Sequence, residues 1–403
     1  MRRREFIRTT AGAAIGTAAL PATRLLAGEE TPASDPVRLF LGGDMMLGRG
    51  IDQIMPNPSD PRIYGKEIQD ALEYVRLAEK ANGPIERPVD YSYIWGDALQ
   101  VLDEMNPVAR IANLETAITT SDDYWQSKGI HYRLHPKNVG CLKAAGIDCV
   151  SLANNHTMDW GYAGLTETMQ TLDTAGIHHA GAGEDFSAAG APAQFDIGHG
   201  RRIQFYAACT EDSGLRRFWG ATENKAGVHK VYLKDPRWLP DQVRINKKEG
   251  DLVIVSVHWG ANWGHSVPWG QGLLAQRLID AGADVVHGHS AHHVKGIEVY
   301  KGKPIFYGCG DLINDYEGLA PRRRYRGDLT LLYFPAFDPD SGKLDSLEMQ
   351  AMQIRNMRLN FASEEDRDWL LNTIKKQGEK MGTDAELLDN GRIALRWEDT
   401  GLA

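Results

Sequence analysis

The chain has 403 residues, of which 42% are hydrophobic and 25% charged, proportions that support a buried core and exclude a disordered, collagen-like or coiled-coil protein. The formal net charge of −9 and the lack of a basic groove signal argue against a phosphate-backbone footprint, so no nucleic-acid partner is expected.

Residues 1–28 open with a basic Met1–Arg8 stretch containing Arg3-Arg4, followed by Ala- and Gly-rich apolar sequence. This resembles a twin-arginine export signal cut near Ala27 or Gly28. Thr17, Pro21 and Arg24 interrupt the apolar part, which is too short for the roughly 20 apolar residues that span a bilayer. The expected location is therefore exported, periplasmic or attached to the cell envelope. Export of an already folded chain suits a protein that loads metal beforehand. Residues 29–36 read as a polar linker.

The run from Val37 predicts a first strand that ends at Gly42-Gly43-Asp44,. Residues 52–93, rich in Pro and Asn, predict an insertion beside the mouth of the site, with one helix over 68–81. Strands are expected at 109–115, 148–153, 202–209, 251–258, 284–289 and 304–307, with amphipathic helices between them. Ala145-Gly146, Ala175-Gly176 and Ala281-Gly282 mark three joins where glycine ends a helix and feeds a strand,. The pattern predicts an α/β protein with helices layered on sheet, the main domain covering 37–340. Residues 341–403 read as a C-terminal extension with a polar helix near 364–380. Cys141, Cys149, Cys209 and Cys309 are widely spaced with no CxxC, so they read as small apolar core residues.

Polar residues gather at the predicted strand ends: Asp44, Asn113, Glu115, Asn154-Asn155-His156, His258, and then His287, His289, His292 and His293. In open α/β sheets the carboxyl ends of strands line the ligand crevice, so these groups are expected to converge. Six of the 13 histidines fall within 258–293, and imidazole with carboxylate and amide oxygen suits zinc, manganese or iron. Singly, each feature also reads as a helix cap, a polar turn or a core histidine.

The blocks Gly43-Asp44-Met45-Met46-Leu47-Gly48-Arg49, Ala112-Asn113-Leu114-Glu115, Ala153-Asn154-Asn155-His156, His258-Trp259-Gly260 and Gly288-His289 through Gly308-Cys309-Gly310 resemble the CapA family of capsule-synthesis proteins, associated with poly-γ-glutamate. That family is similar in turn to the calcineurin-like metallophosphoesterases, which implies a four-layer metallophosphatase-like β-sandwich flanked by helices. The resemblance implies two divalent transition metal ions held by Asp44, Glu115, Asn155, His258, His289 and His292. It implies His156 as the acid beside the leaving group. Asp159 reads equally as the group that orients His156 or as a helix cap. Arg49, Asn113 and Asn154 read as substrate-binding. Met46 departs from the superfamily pattern by standing where a ligand His is usual. Ser290 replaces a His, Asn262 replaces a common Glu, and either His292 or His293 could be the inward one.

The resemblance implies an anionic polymer or its precursor as ligand and membrane-bound synthases as partners. Three readings stay open: a metal-dependent hydrolase or transferase acting on a phosphoester or γ-glutamyl amide, a non-catalytic polymer-binding component, and a phosphodiesterase or nuclease. Trp95, Trp125, Trp259, Trp263 and Trp269 read as core or cleft residues, and Arg322–Arg324 as a solvated loop or a receiver for polyanion.

Overall fold

Val37–Met45 is an apolar strand buried along seven of its nine residues, which places it inside a sheet rather than at an edge. The computed structural model describes residues 36–198, 200–319 and 324–398. The export-signal residues 1–28, most of the linker, and Arg322 and Arg323 lie outside the described residues.

Among the described residues the first sheet has ten strands. Its main order runs Thr383–Leu387, Ile393–Trp397, Leu344–Ile354, Leu329–Phe337, Val37–Met45, Ala109–Leu114, Cys149–Ser151 and His178–Ala180. The last four are parallel neighbours. A short strand, Asp311–Ile313, also runs parallel to Val37–Met45 and places Asp311 opposite Asp44. The second sheet is built on Lys230–Val231, Arg201–Thr210, Asp251–His258, Val285–His289 and Lys303–Phe306, all parallel in sequence of pairing.

Side chains alternate across a strand, and the two hydrophobic clusters follow that alternation. Ile203, Phe205, Ala207 and Cys209, with Leu252, Ile254 and Val285, join the large core shared with the first sheet. Tyr206 and Ala208, with Val253, Val255, Val257 and Val286, instead pack with Leu239, Val243, Leu274 and Leu278. These last four lie on the helices Trp238–Asn246 and Trp269–Asp280. The second sheet thus has one face toward the first sheet and one toward helices. Helices Ala98–Met105, Gly161–Ala175 and Glu364–Gly378 contribute to the large core with the first sheet. The expected α/β class and the layered sandwich are both present. Phe306 and Tyr333 meet edge to face between the sheets at 5.3 Å, and truncating such a buried ring to alanine costs about 3–5 kcal/mol.

The expected strands appear within a few residues of their sequence-based limits. The helix in the insertion runs Leu72–Asn82, later than 68–81. The C-terminal stretch differs more from expectation. Besides the helix Glu364–Gly378 it supplies the long strand Leu344–Ile354 and three shorter ones to the first sheet. Its polar residues hide this, because about half of Leu344–Ile354 is only partly buried or exposed, at Asp345, Ser346, Glu348, Gln350 and Gln353, and so it reads as weakly apolar. Gly146 and Gly176 both take positive φ, 58° and 73°, where a side chain is strained. All four cysteines are buried and free.

Candidate metal centre

The alternation that sorts the core also aims the histidines. Ser256 and His258 share the inner face of their strand with Ile254, and His287 and His289 share the inner face of theirs with Val285,. Both strands end at the same edge, where the strands Val37–Met45 and Ala109–Leu114 of the facing sheet deliver Asp44, Asn113 and Glu115. Asp44, His258 and His289 form one buried group whose ligand atoms lie within 4.8 Å of one another, and Asp44, His292 and Asp311 form a second.

A proton chain fixes the state of the first group. His287 Nε2 lies 2.9 Å from the carbonyl of Gly42, which only accepts, so Nε2 carries the hydrogen,. Burial holds the His287 ring neutral, down to about 3, so its Nδ1 accepts from the Ser256 hydroxyl at 3.1 Å. Ser256 Oγ then accepts from His289 Nε2 at 2.8 Å. His289 Nδ1 lies 2.9 Å from His258 Nδ1 and 3.4 Å from Asp44 Oδ1. Burial, reinforced by His289, pushes the His258 ring well below the usual range, so it is neutral. In the tautomer that donates from Nδ1 to His289, its Nε2 is a bare lone pair 4.0 Å from Glu115 Oε1.

Asp44 is fully buried. Burial opposes its charge, yet the hydrogen bond and charge of His289, with His258 and His292, outweigh that and hold its carboxyl well below the usual range. Asn113 Nδ2 donates to Asp44 Oδ1 at 2.7 Å and the Ser290 amide to Oδ2 at 3.1 Å. Glu115 is pushed well above the usual range by burial first and then by the Asp44 and Asp311 charges. Asp311 is also raised by burial, although His292 Nδ1 lies 2.7 Å from its Oδ1. Glu115 Oε2, Asn155 Oδ1 and His258 Nε2 are buried without a hydrogen-bond partner among the described residues. Buried polar atoms are nearly always satisfied, so three orphaned acceptors beside the Asp/His groups fit a site for a divalent cation.

His156 lies on the Glu115 side, its Nε2 3.8 Å from Glu115 Oε1. Its Nδ1 is 2.7 Å from Asp159 Oδ2, and a carboxylate only accepts, so Nδ1 carries the hydrogen and Nε2 a lone pair. Burial, opposed by Asp159 and aided by Lys128, brings the ring down to about 4. Asp159 is held in turn by the Tyr132 amide at 2.7 Å and by an ion pair with the buried Lys128, whose Nζ also reaches the Asn155 carbonyl at 2.5 Å. Asp159 therefore orients His156. The helix Gly161–Ala175 has no side-chain cap.

The three residues read as substrate-binding are all buried and engaged within the protein. Asn113 and Asn154 are fully buried; Asn154 Nδ2 donates to Asn113 Oδ1 at 3.1 Å and to the Leu114 carbonyl at 2.8 Å. Their amides are spent on orienting Asp44. Arg49 is 4% exposed, forked onto Asp315 and sandwiched over Tyr74 and Tyr132 at 3.9 and 4.3 Å. Sequence could not show this because Asp315 lies 266 residues away.

His292 lies in the buried group with Asp44 and Asp311, whereas His293 is in neither group and lies against the Val294 carbonyl at 3.0 Å and the Gly264 amide at 3.1 Å. Met46 is buried. Ser290, at φ 97°, serves through its backbone amide, and Asn262 Nδ2 meets His292 Nε2 at 2.9 Å. Asp311, Lys128 and Ser256 were missed by sequence reasoning. Asp311 directly follows the block ending at Gly310 and could have been found there; the other two carry no motif signal. A cavity of about 860 Å³ opens beside the centre, lined by Arg49, Asn262, Trp263, His292, Tyr316 and Arg326 among others. Lys66 and Ile68 of the insertion also line it. Trp95 and Trp259 are core residues, and Trp269 is 81% exposed.

Comparison with solved structures finds a phosphatase from Mycoplasma pneumoniae (10% identity, 79% of this chain and 94% of that one, TM-score 0.43). It also finds a 5'-nucleotidase precursor from Thermus thermophilus (13% identity, 84% and 58%, TM-score 0.44). Among curated proteins, a probable polyglutamine synthesis accessory protein of Mycobacterium tuberculosis is 45% identical over 352 residues, covering 86% of this chain and 93% of the relative. The PGA biosynthesis protein CapA of Bacillus subtilis is 29% identical over 287 residues, 71% of this chain and 65% of the relative. The family model described as bacterial capsule synthesis protein PGA_cap matches residues 38–316, the span that carries every strand-end residue of the centre, and the chain belongs to that family.

Proposed function

We propose that the protein is an exported accessory component of poly-γ-glutamate or related anionic envelope-polymer synthesis, working through a metal-dependent site of hydrolase or transferase type. The pairing of two acceptors, His258 Nε2 and Glu115 Oε1, in a buried pocket with Asp44 and His289 carries this reading, because a divalent cation relieves it. Asp44, Glu115, Asn155, His258, His289 and His292 would hold the ions. When bound, divalent ions would polarise a phosphoryl or carboxyl oxygen and supply an activated water. The metal's identity among manganese, zinc and iron rests with loading.

His156 adds proton transfer. Its ring is neutral at neutral pH, so it takes a proton at Nε2 before it can deliver one to a leaving group. Asp159 and Lys128 fix the ring, and Asn113 and Asn154 fix Asp44. The polymer reading is supported by the names of the relatives, and partnership with a membrane-bound synthase follows from an accessory role. No helix among the described residues is long and apolar enough to cross a membrane; the Arg3-Arg4 pattern supports export, and Arg3-Arg4→Lys-Lys should hold the precursor in the cytoplasm.

A second reading, polymer binding without turnover, is favoured by the breadth of the cavity, whose lining includes Lys66 and Arg355 alongside Glu67, Glu317 and Asp328. The test is turnover of bis-p-nitrophenyl phosphate and of γ-glutamyl oligomers by the metal-loaded protein, with His156→Ala as control. Turnover lost in the variant supports the enzyme. No turnover with any metal, together with metal-independent binding of polyglutamate, would overturn it in favour of the binding module.

A further inference from the structure

We propose that Asp311 is itself a metal ligand, completing with Asp44 and His292 a second ion position that is richer in carboxylate than the one formed by Asp44, His258 and His289. The proposal rests on the reading that the site holds metal. It adds that the two positions are chemically unequal, one suited to a hard ion such as Mn²⁺ and the other to a softer one such as Zn²⁺.

The backbone brings Asp311 there. Gly43 has no side chain to obstruct the approach: a Cβ on it would lie 1.9 Å from the Gly310 carbonyl. This contact lets the Asp44 amide bond that carbonyl at 2.9 Å and sets Asp311 in parallel register beside Asp44. Asp44, His292 and Asp311 are 0%, 4% and 1% exposed, with ligand atoms within 4.8 Å of one another. The partners of Asp311 are the imidazole of His292 and the amide of Asn314, the latter at 2.7 Å. Three carboxylates, Asp44, Glu115 and Asp311, therefore share one buried space, and the nearest ammonium, Lys128, is already paired with Asp159. Buried carboxylates at this density either take up protons or meet a cation, and the orphaned Glu115 Oε2 and His258 Nε2 point independently to a ligand in the same space.

Asp44 belongs to both groups, and beside the Glu115 and Asn155 oxygens the difference lies in the remaining donors. One group adds two imidazoles; the other adds one imidazole and one carboxylate. Imidazole suits zinc and iron, whereas carboxylate suits manganese and magnesium. Asp311 also supplies the donor that Met46, a thioether, does not offer to a hard ion.

The test uses the mature full-length protein, stripped by chelator and titrated with Mn²⁺, with bound ion read by electron paramagnetic resonance and counted by elemental analysis. Wild type should bind about two equivalents, one of them displaced by Zn²⁺ at least about tenfold more readily than the other. Asp311→Asn should lose the equivalent that resists zinc, and His258→Ala should lose the other. Each variant that retains one ion also reports a folded centre. Asp311→His should restore two equivalents while erasing the difference in zinc displacement, and this rescue stands even where Asp311→Asn folds poorly. Asparagine can still accept the His292 Nδ1–H. If Asp311→Asn therefore keeps both ions with Kd raised by less than about 100-fold, Asp311 merely orients His292 and the proposal is overturned. Wild type that binds no Mn²⁺ or Zn²⁺ overturns the metal reading itself, a separate result.

Discussion

His258 Nε2 faces Glu115 Oε1 across 4.0 Å, and neither that nitrogen nor the other carboxyl oxygen, Glu115 Oε2, has a hydrogen-bond partner among the described residues. Two acceptors turned toward each other in a buried space hold a proton or a cation between them. Burial raises the Glu115 carboxyl, so a metal bound there competes with a proton.

This relationship gives the first prediction. Binding of a divalent ion should release protons, and the affinity should rise with pH from the ordinary carboxylate range up to the raised value of Glu115, because the ligand form is the deprotonated one. Calorimetry in buffers of different ionisation enthalpy measures the release. Glu115→Gln should lower both metal content and proton release; equal release in wild type and variant would remove Glu115 from the ligand set.

Ser256 touches no substrate-facing atom, yet it sets the tautomers of two histidines. Ser256→Ala should weaken zinc binding by about 10–100-fold with the fold intact, the usual cost of losing a group that orients a ligand. Competition with a chromogenic chelator reads this directly, and an unchanged Kd would break the proposed proton chain.

His156→Ala should keep its metal while any phosphodiester or amide turnover falls by about 10²–10⁴-fold, the range for a proton-transfer group. Lys128→Ala leaves the buried Asp159 charge unpaired and should cost about 3–5 kcal/mol in denaturant unfolding. A stability loss below about 1 kcal/mol would show that Lys128 does not compensate Asp159.

His229 tests acid sensitivity away from the centre. It is buried, with Nδ1 on the Ala207 carbonyl at 2.8 Å, and burial lowers its pKa from 6.5 to about 4. The unfolded chain takes up this proton first, so the stability it contributes is present above pH 6.5 and is lost as pH falls toward 4. His229→Gln should remove that loss, gaining on wild type by about 1.4 kcal/mol per pH unit across the window. Parallel stability curves for the two proteins would contradict the assignment.

Gly43→Ala places a methyl group against the Gly310 carbonyl at 1.9 Å. Overpacking of backbone on backbone should cost about 1–3 kcal/mol and, by pushing Asp44 away from Asp311, reduce metal content. Thermal unfolding and elemental analysis follow the two effects separately.

Much of this protein was legible in its residues. Apolar runs ending in Gly-Asp44, Asn113-Leu114-Glu115 and His258 marked strands and their ends, since burial on both faces leaves a continuous apolar signal. Local rules also placed the helix stops at Gly146 and Gly176, because positive φ is a property of single residues. The strand Leu344–Ile354 escaped notice because one face of it is half solvated. What only the tertiary structure decided are the partnerships between residues far apart in sequence. Arg49 reads as a free cation until Asp315 is seen beside it, His292 and His293 differ only by the direction each ring takes, and Asp311 becomes a candidate ligand only when its strand aligns with Asp44. Periodicity along a strand determines which face a side chain takes, but which carboxylate stands opposite which imidazole depends on how two sheets register, and that is set by the packing of the whole core.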